Sequence, residues 1–185
     1  MNVRFTRMPG ADIIIMMHVS RKGGLFLRSF RFEGTRKLMN ALLLTPLFDS
    51  FEVMNAYVRS YAVFSVECPG RADTGEVSPP PLWKQIRPVM TDILKGTKKP
   101  QQIKLVLKLS EKNTGAVLRR SGSSIELEQI AGLYLNILYR CEDDNESVTG
   151  TTGTSLKIFT PDRSLEQTWD SMVETLLLRE DIPFE

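Results

Sequence analysis

The run Ile103-Lys104-Leu105-Val106-Leu107-Lys108-Leu109 decides how this chain folds. Its apolar residues fall at every second position, and a side-chain period of two belongs to a strand with one buried and one outward side. Ile103, Leu105, Leu107 and Leu109 face a core, and Lys104, Val106 and Lys108 face outward. The run is therefore a half-buried strand with a basic outer side.

Outward from that strand, the periodicity changes. On its N-terminal side, Trp83, Ile86, Met90, Ile93 and Leu94 recur at helical spacing, which predicts an amphipathic helix over residues 82–95. Lys84, Arg87, Thr91 and Lys95 form its other face, and Pro88 either kinks it or marks its first turn. Residues 69–82 hold Pro69-Gly70, Gly75 and Pro79-Pro80-Pro81, and they read as a loop. Residues 51–68 are rich in Val, Phe and Tyr and read as two strands with a turn near Arg59-Ser60. Before them, Thr35 caps a helix ended by Pro46, and residues 26–32 make a strand.

On the C-terminal side, Ser110 caps a short helix closed by Gly122. Residues 133–141 form a strand, and Asp143-Asp144-Asn145 turns it into a Thr- and Gly-rich strand over residues 148–159. Asp162 or Ser164 caps a last helix over residues 165–179. The order is strand-helix-strand-strand-helix, twice. That predicts an α+β domain over residues 26–185, an antiparallel sheet with helices on one face, and an internal duplication at the level of topology. Residues 1–25 read as an N-terminal extension, either unordered or adding one strand.

The 185 residues carry a net charge of only +2, distributed unevenly. Residues 1–40 carry +6, 41–80 carry −3, 81–120 carry +8 and 121–185 carry −9. No apolar run approaches the ~20 residues of a membrane-spanning helix. Cys68 and Cys141 end apolar runs, as small buried thiols do in a reducing compartment. These features point to a cytoplasmic protein with no membrane association.

Part of the chain resembles a known family. The residues that carry the likeness are Trp83-Lys84-Gln85-Ile86-Arg87-Pro88, Ile93-Leu94-Lys95-Gly96 and Leu133-Tyr134-Leu135-Asn136-Ile137. To these are added Thr151-Thr152-Gly153-Thr154-Ser155-Leu156-Lys157-Ile158-Phe159-Thr160, Asp162-Arg163-Ser164-Leu165-Glu166 and Trp169-Asp170. Together they resemble a bacterial family known only as a domain of unknown function, with the likeness beginning near Phe30. That resemblance implies no activity. The repeated unit is also similar in topology to the sliding clamps of DNA replication, which implies basic helices turned toward a duplex.

The residues argue against most catalytic chemistries. His18 is the single histidine, so a Ser-His-Asp or Cys-His arrangement would have to recruit it from the extension. No Walker loop or strand-linked G-x-G-x-x-G occurs, and Cys68, Cys141 and His18 do not make a zinc set. Glu142, Asp143, Asp144 and Glu146 lack the calcium-loop pattern and read as a solvated hairpin tip. The reading leans away from an enzyme, with no catalytic residue, cofactor or metal assigned.

Two candidate sites remain. Lys84, Arg87, Lys95, Lys98, Lys99, Lys104 and Lys108 form a basic group suited to an anionic partner, either nucleic acid or an acidic protein face. Glu166, Asp170 and Glu174 recur every four residues on the last helix as an acidic face, which could balance the basic group or meet it in a homo-oligomer. The alternative is a small phosphate or carboxylate ligand held by Thr151, Thr152, Thr154, Ser155 and Lys157. A hairpin strand with Leu156 and Ile158 inward and Ser155 and Lys157 toward water accounts for the same residues without a ligand.

Overall fold

The computed structural model describes residues 25–67, 79–95 and 99–185. Residues 1–24, with His18, lie outside the described residues, as do Cys68 and Lys98. The order along the chain is β1 (Leu25–Arg31), α1 (Thr35–Leu44), β2 (Glu52–Arg59), β3 (Val63–Glu67) and α2 (Trp83–Lys95). It continues with β4 (Gln102–Lys108), α3 (Glu111–Ser121), a 3-10 turn (Leu127–Gln129), β5 (Ile130–Glu142), β6 (Asn145–Leu156) and α4 (Ser164–Arg179). This is an α+β fold with a six-stranded antiparallel sheet, in the order β1-β6-β5-β4-β2-β3.

The period-two reading of β4 sets the core. Ile103, Leu105 and Leu107 are buried and Lys104, Val106 and Lys108 are half-exposed. In register beside them, Ala56, Leu105, Ile137 and Gly150 cross the sheet as one buried row. The next row holds Val53, Leu107, Leu135 and Thr152. Trp83 and Met90 of α2, Leu38 and Leu42 of α1, and Leu165, Trp169, Val173 and Leu177 of α4 close over this face. The two tryptophans are also tied by polar contacts. Trp83 Nε1 donates to the Leu42 carbonyl at 2.8 Å, and Trp169 Nε1 donates to the Tyr134 carbonyl at 3.1 Å. The opposite face of the sheet carries half-exposed Tyr57, Lys104, Val106, Tyr134, Leu138, Thr149 and Thr151.

Local details differ from the sequence expectation. Thr35 is the first residue of α1 rather than its cap; Gly34 takes that place at φ 86°, a conformation glycine adopts without Cβ strain. Ser110 does cap α3 by position, without a side-chain hydrogen bond. Before α4 the capping acceptor is Asp162, whose Oδ1 takes the Ser164 N–H at 2.9 Å, while Arg163 holds the N-cap position. Helix α2 continues across Pro88, which is exposed, so the Lys84 carbonyl it leaves without an amide donor lies on the wet side. The element order repeats as expected, but the pairing does not. β4 pairs with β5, whereas three strands separate β1 from β2, so the likeness to a clamp stops at element order.

Candidate functional site

The basic group read from the sequence is divided between the two faces of the sheet. Lys84 and Lys95 are exposed on α2, in the helical layer. Arg87, on the same helix, is committed to Asp49 through Nε and Nη2, both at 2.9 Å. Lys99 pairs with Glu146 at 2.5 Å, and that bond raises the Lys99 pKa above the usual lysine value. Lys108 pairs with Glu52 at 3.4 Å across the β2–β4 register. Lys104 and Lys108 stand on the open face, away from the helices. The six described ones therefore do not make one surface, and Lys98 lies outside the described residues. Residues adjacent in sequence across the α2–β4 junction end on opposite sides of the sheet because the chain changes layer there.

The hydroxyl-rich strand is divided in the same way. Thr152 and Thr154 point inward and are buried under α4, with the Thr152 hydroxyl donating to Asp170 at 2.5 Å. Gly150 also faces inward: a Cβ there would lie 2.8 Å from the Phe32 ring, so this glycine serves packing rather than ligand approach. Lys157 lies beyond β6 and donates to the Glu128 carbonyl at 2.8 Å, which engages the amine of the Ser155/Lys157 pair. Thr151 and its neighbour Thr149 face the open side.

The acidic stripe of α4 is not a solvated face. Asp170 takes the Thr152 hydroxyl, Glu174 pairs with Arg28 of β1, and Glu166 Oε2 is buried without a partner. Burial, followed by the charge of Asp170, pushes the Glu166 carboxyl above the usual glutamate range. These residues follow the buried Leu165, Trp169 and Val173 by one position, so packing that apolar stripe on the sheet turns these neighbours inward as well.

On the open face, β4, β5 and β6 build a slot of about 90 Å³. Three rows cross it: Gln102–Arg140, Lys104–Leu138–Thr149 and Val106–Asn136–Thr151. Strands about 4.8 Å apart, with outward residues repeating about every 6.6 Å along each, bring these side chains around one opening. Lys104 and Arg140 form no salt bridge among the described residues. Asn136 is only 8% exposed. Its Nδ2 donates to the Thr151 carbonyl at 3.4 Å and to Thr151 Oγ1 at 3.3 Å, while its Oδ1 has no partner. The sequence reading named Lys104 and Thr151 but missed Asn136 and Arg140. The same alternation finds them: with Leu133, Leu135, Ile137 and Tyr139 buried, Tyr134, Asn136, Leu138 and Arg140 must point outward.

Two other concavities have less chemistry. A groove of about 500 Å³ between α3 and α4 is lined by Arg120, Arg179 and several hydroxyls. Ser121 and Thr175 there donate to carbonyls of their own helices, and the groove has no buried polar atom lacking a partner. A cleft of about 320 Å³ near Lys108 and Lys157 is bordered by Glu111 and Glu128, so its charges offset one another.

The fold and the slot define an α+β protein with one open-faced antiparallel sheet and a small, mostly apolar opening on that face, flanked by Lys104 and Arg140. The chain belongs to the family of unknown function DUF5721, whose model matches residues 41–185. The match begins inside α1 rather than near Phe30, and it takes in β4, β5 and β6 whole. No curated protein and no solved structure matches the chain. Among the described residues, no helix is long and apolar enough to cross a membrane.

Proposed function

We propose that this chain is a non-catalytic binding module that takes a small anionic molecule or end group into the slot on its open sheet face. One observation carries the reading: Lys104 and Arg140 flank a single opening without a salt-bridged carboxylate among the described residues, beside the hydroxyls of Thr149 and Thr151. A cation beside hydroxyl donors at a low-dielectric sheet surface suits a carboxylate or phosphate. The arrangement joins one lysine of the basic group to one threonine of the hydroxyl-rich strand. It favours a compact ligand over an extended polyanion, because the exposed lysines of α2 belong to the other layer. We place it in a reducing, cytoplasmic setting on its two thiols, of which Cys141 is free and half-buried and Cys68 lies outside the described residues.

The test is calorimetric titration with small carboxylates and with methyl phosphate at two salt concentrations. Binding should weaken at least tenfold in the double variant Lys104→Met/Arg140→Met and stay unchanged in Lys84→Met/Lys95→Met. Salt-sensitive binding of single-stranded DNA that depends on Lys84 and Lys95 instead would replace this reading with a helix-borne polyanion surface.

A further inference from the structure

Resting on that reading, we infer that the slot takes an amphipathic anion tail first: a short aliphatic chain lies inside it, and a single anionic head stays at the mouth against Lys104 and Arg140. The lining carries the inference. Six of the eight residues that line the slot are polar by type, yet the surface they present to it is mostly apolar. Asn136 is turned into the sheet, with Oδ1 buried and Nδ2 donating to the Thr151 carbonyl at 3.4 Å and hydroxyl at 3.3 Å. The second contact draws the Thr151 oxygen against the sheet as well. Lys104, Arg140 and Gln102 are long side chains whose apolar stems make walls while their polar ends reach water. Leu138, in the middle row between Lys104 and Thr149, supplies an apolar floor.

Such a lining sorts the two ends of a ligand. An anion pushed wholly inside would exchange its hydration for apolar surface, whereas at the mouth it stays wet and meets two cations. An aliphatic chain has the opposite preference and gains by leaving water. Size then sets the length. With roughly 15–30 Å³ for each water-sized group, a slot of about 90 Å³ holds about three to six carbons. The head is any compact anion, carboxylate or phosphate alike, because it lies outside the space that limits the tail.

A chain-length series tests this by calorimetry on the unaltered protein, with acetate, butanoate, hexanoate and decanoate, and with 1-butanol as the uncharged control. Affinity should rise about threefold per methylene from acetate to hexanoate and stop there, with decanoate no tighter. Butanol should bind at least tenfold more weakly than butanoate. The same series of alkyl phosphates should show the same rise, and the tighter of butanoate and butyl phosphate names the head. Leu138→Ala, which deepens the slot on the face away from the core, should move the limit to longer chains. Thr149→Leu, which fills it, should remove the rise while acetate still binds, and Lys104→Met/Arg140→Met should weaken every acid by a similar factor. Affinity independent of chain length overturns the tail inference and leaves the anion site standing. A rise that continues through decanoate, or one unmoved by both slot variants, puts the chain elsewhere on the surface and overturns it as well. Butanol as tight as butanoate removes the anion site and leaves an apolar slot, and binding of none of these compounds removes both.

Discussion

Glu166 and Asp162 stand four residues apart around the start of α4 and titrate in opposite directions. Asp162 is held below the usual aspartate range by bonds from the Ser123 hydroxyl and from the hydroxyl and amide of Ser164. Its contribution to stability is present above the unfolded pKa and is lost as pH falls through the folded value. Glu166 is raised, first by burial and then by Asp170, with Arg163 acting against both. The fold therefore favours its protonated form. Whatever Glu166 contributes is fully present below its unfolded pKa near 4.5 and is lost as pH rises through the higher folded value. Glu166→Gln should thus raise the melting temperature near pH 8 and leave it close to the parent at pH 4. Melts across that range check this, and a variant less stable than the parent at pH 8 would refute it.

Among the elements, the β5–β6 hairpin shows how local sequence sets a turn while leaving it strained. Glu142 pairs with Asn145, leaving Asp143 and Asp144 as a two-residue loop with φ of 48° and 65°. Both residues sit in the left-handed region that the right-handed sheet twist selects for such loops. Asparagine and glycine tolerate it better than aspartate does, and the tip also crowds Glu142, both aspartates and Glu146 together. Asp143→Asn/Asp144→Gly should stabilise the protein by about 1 kcal/mol, read from urea denaturation midpoints. The Glu146–Lys99 bond, which ties the hairpin to the approach to β4, is untouched by the change.

At the level of the whole molecule, the last residues of the chain finish the sheet. The Glu185 N–H donates to the Arg31 carbonyl at 2.8 Å, and the Arg31 and Glu33 amides donate to the Glu185 and Pro183 carbonyls at 2.9 Å. The Phe184 ring meets Phe30 edge-on at 5.2 Å. This segment continues the pairing beside the end of β1, an edge strand that would otherwise offer unpaired amides to another chain. Deleting residues 183–185 should lower stability by roughly 2 kcal/mol, less than the loss of a fully buried aromatic because Phe184 is only partly buried, and promote association. Calorimetric melting and light scattering at several concentrations measure the two effects. A truncated chain that melts like the parent would show that the segment closes nothing.

Local sequence determined the element types and the inward or outward sense of most strand residues. The alternation around Leu105 and the helical stripe through Trp83 and Met90 come from backbone periods of two and 3.6, which are properties of neighbouring residues. The family block at residues 151–160 was legible in the same way. Tertiary structure alone decided which outward residues meet. Lys104 faces Leu138 and Thr149 because β4, β5 and β6 lie side by side, and Lys84 is kept from Lys104 because α2 covers the other face. The inward turn of Glu166 and Asp170, the closing of β1 by the chain end and the unmatched oxygen of Asn136 likewise depend on contacts between segments far apart in sequence. Strand order and layer are set by global packing of apolar surface, and no local period encodes them.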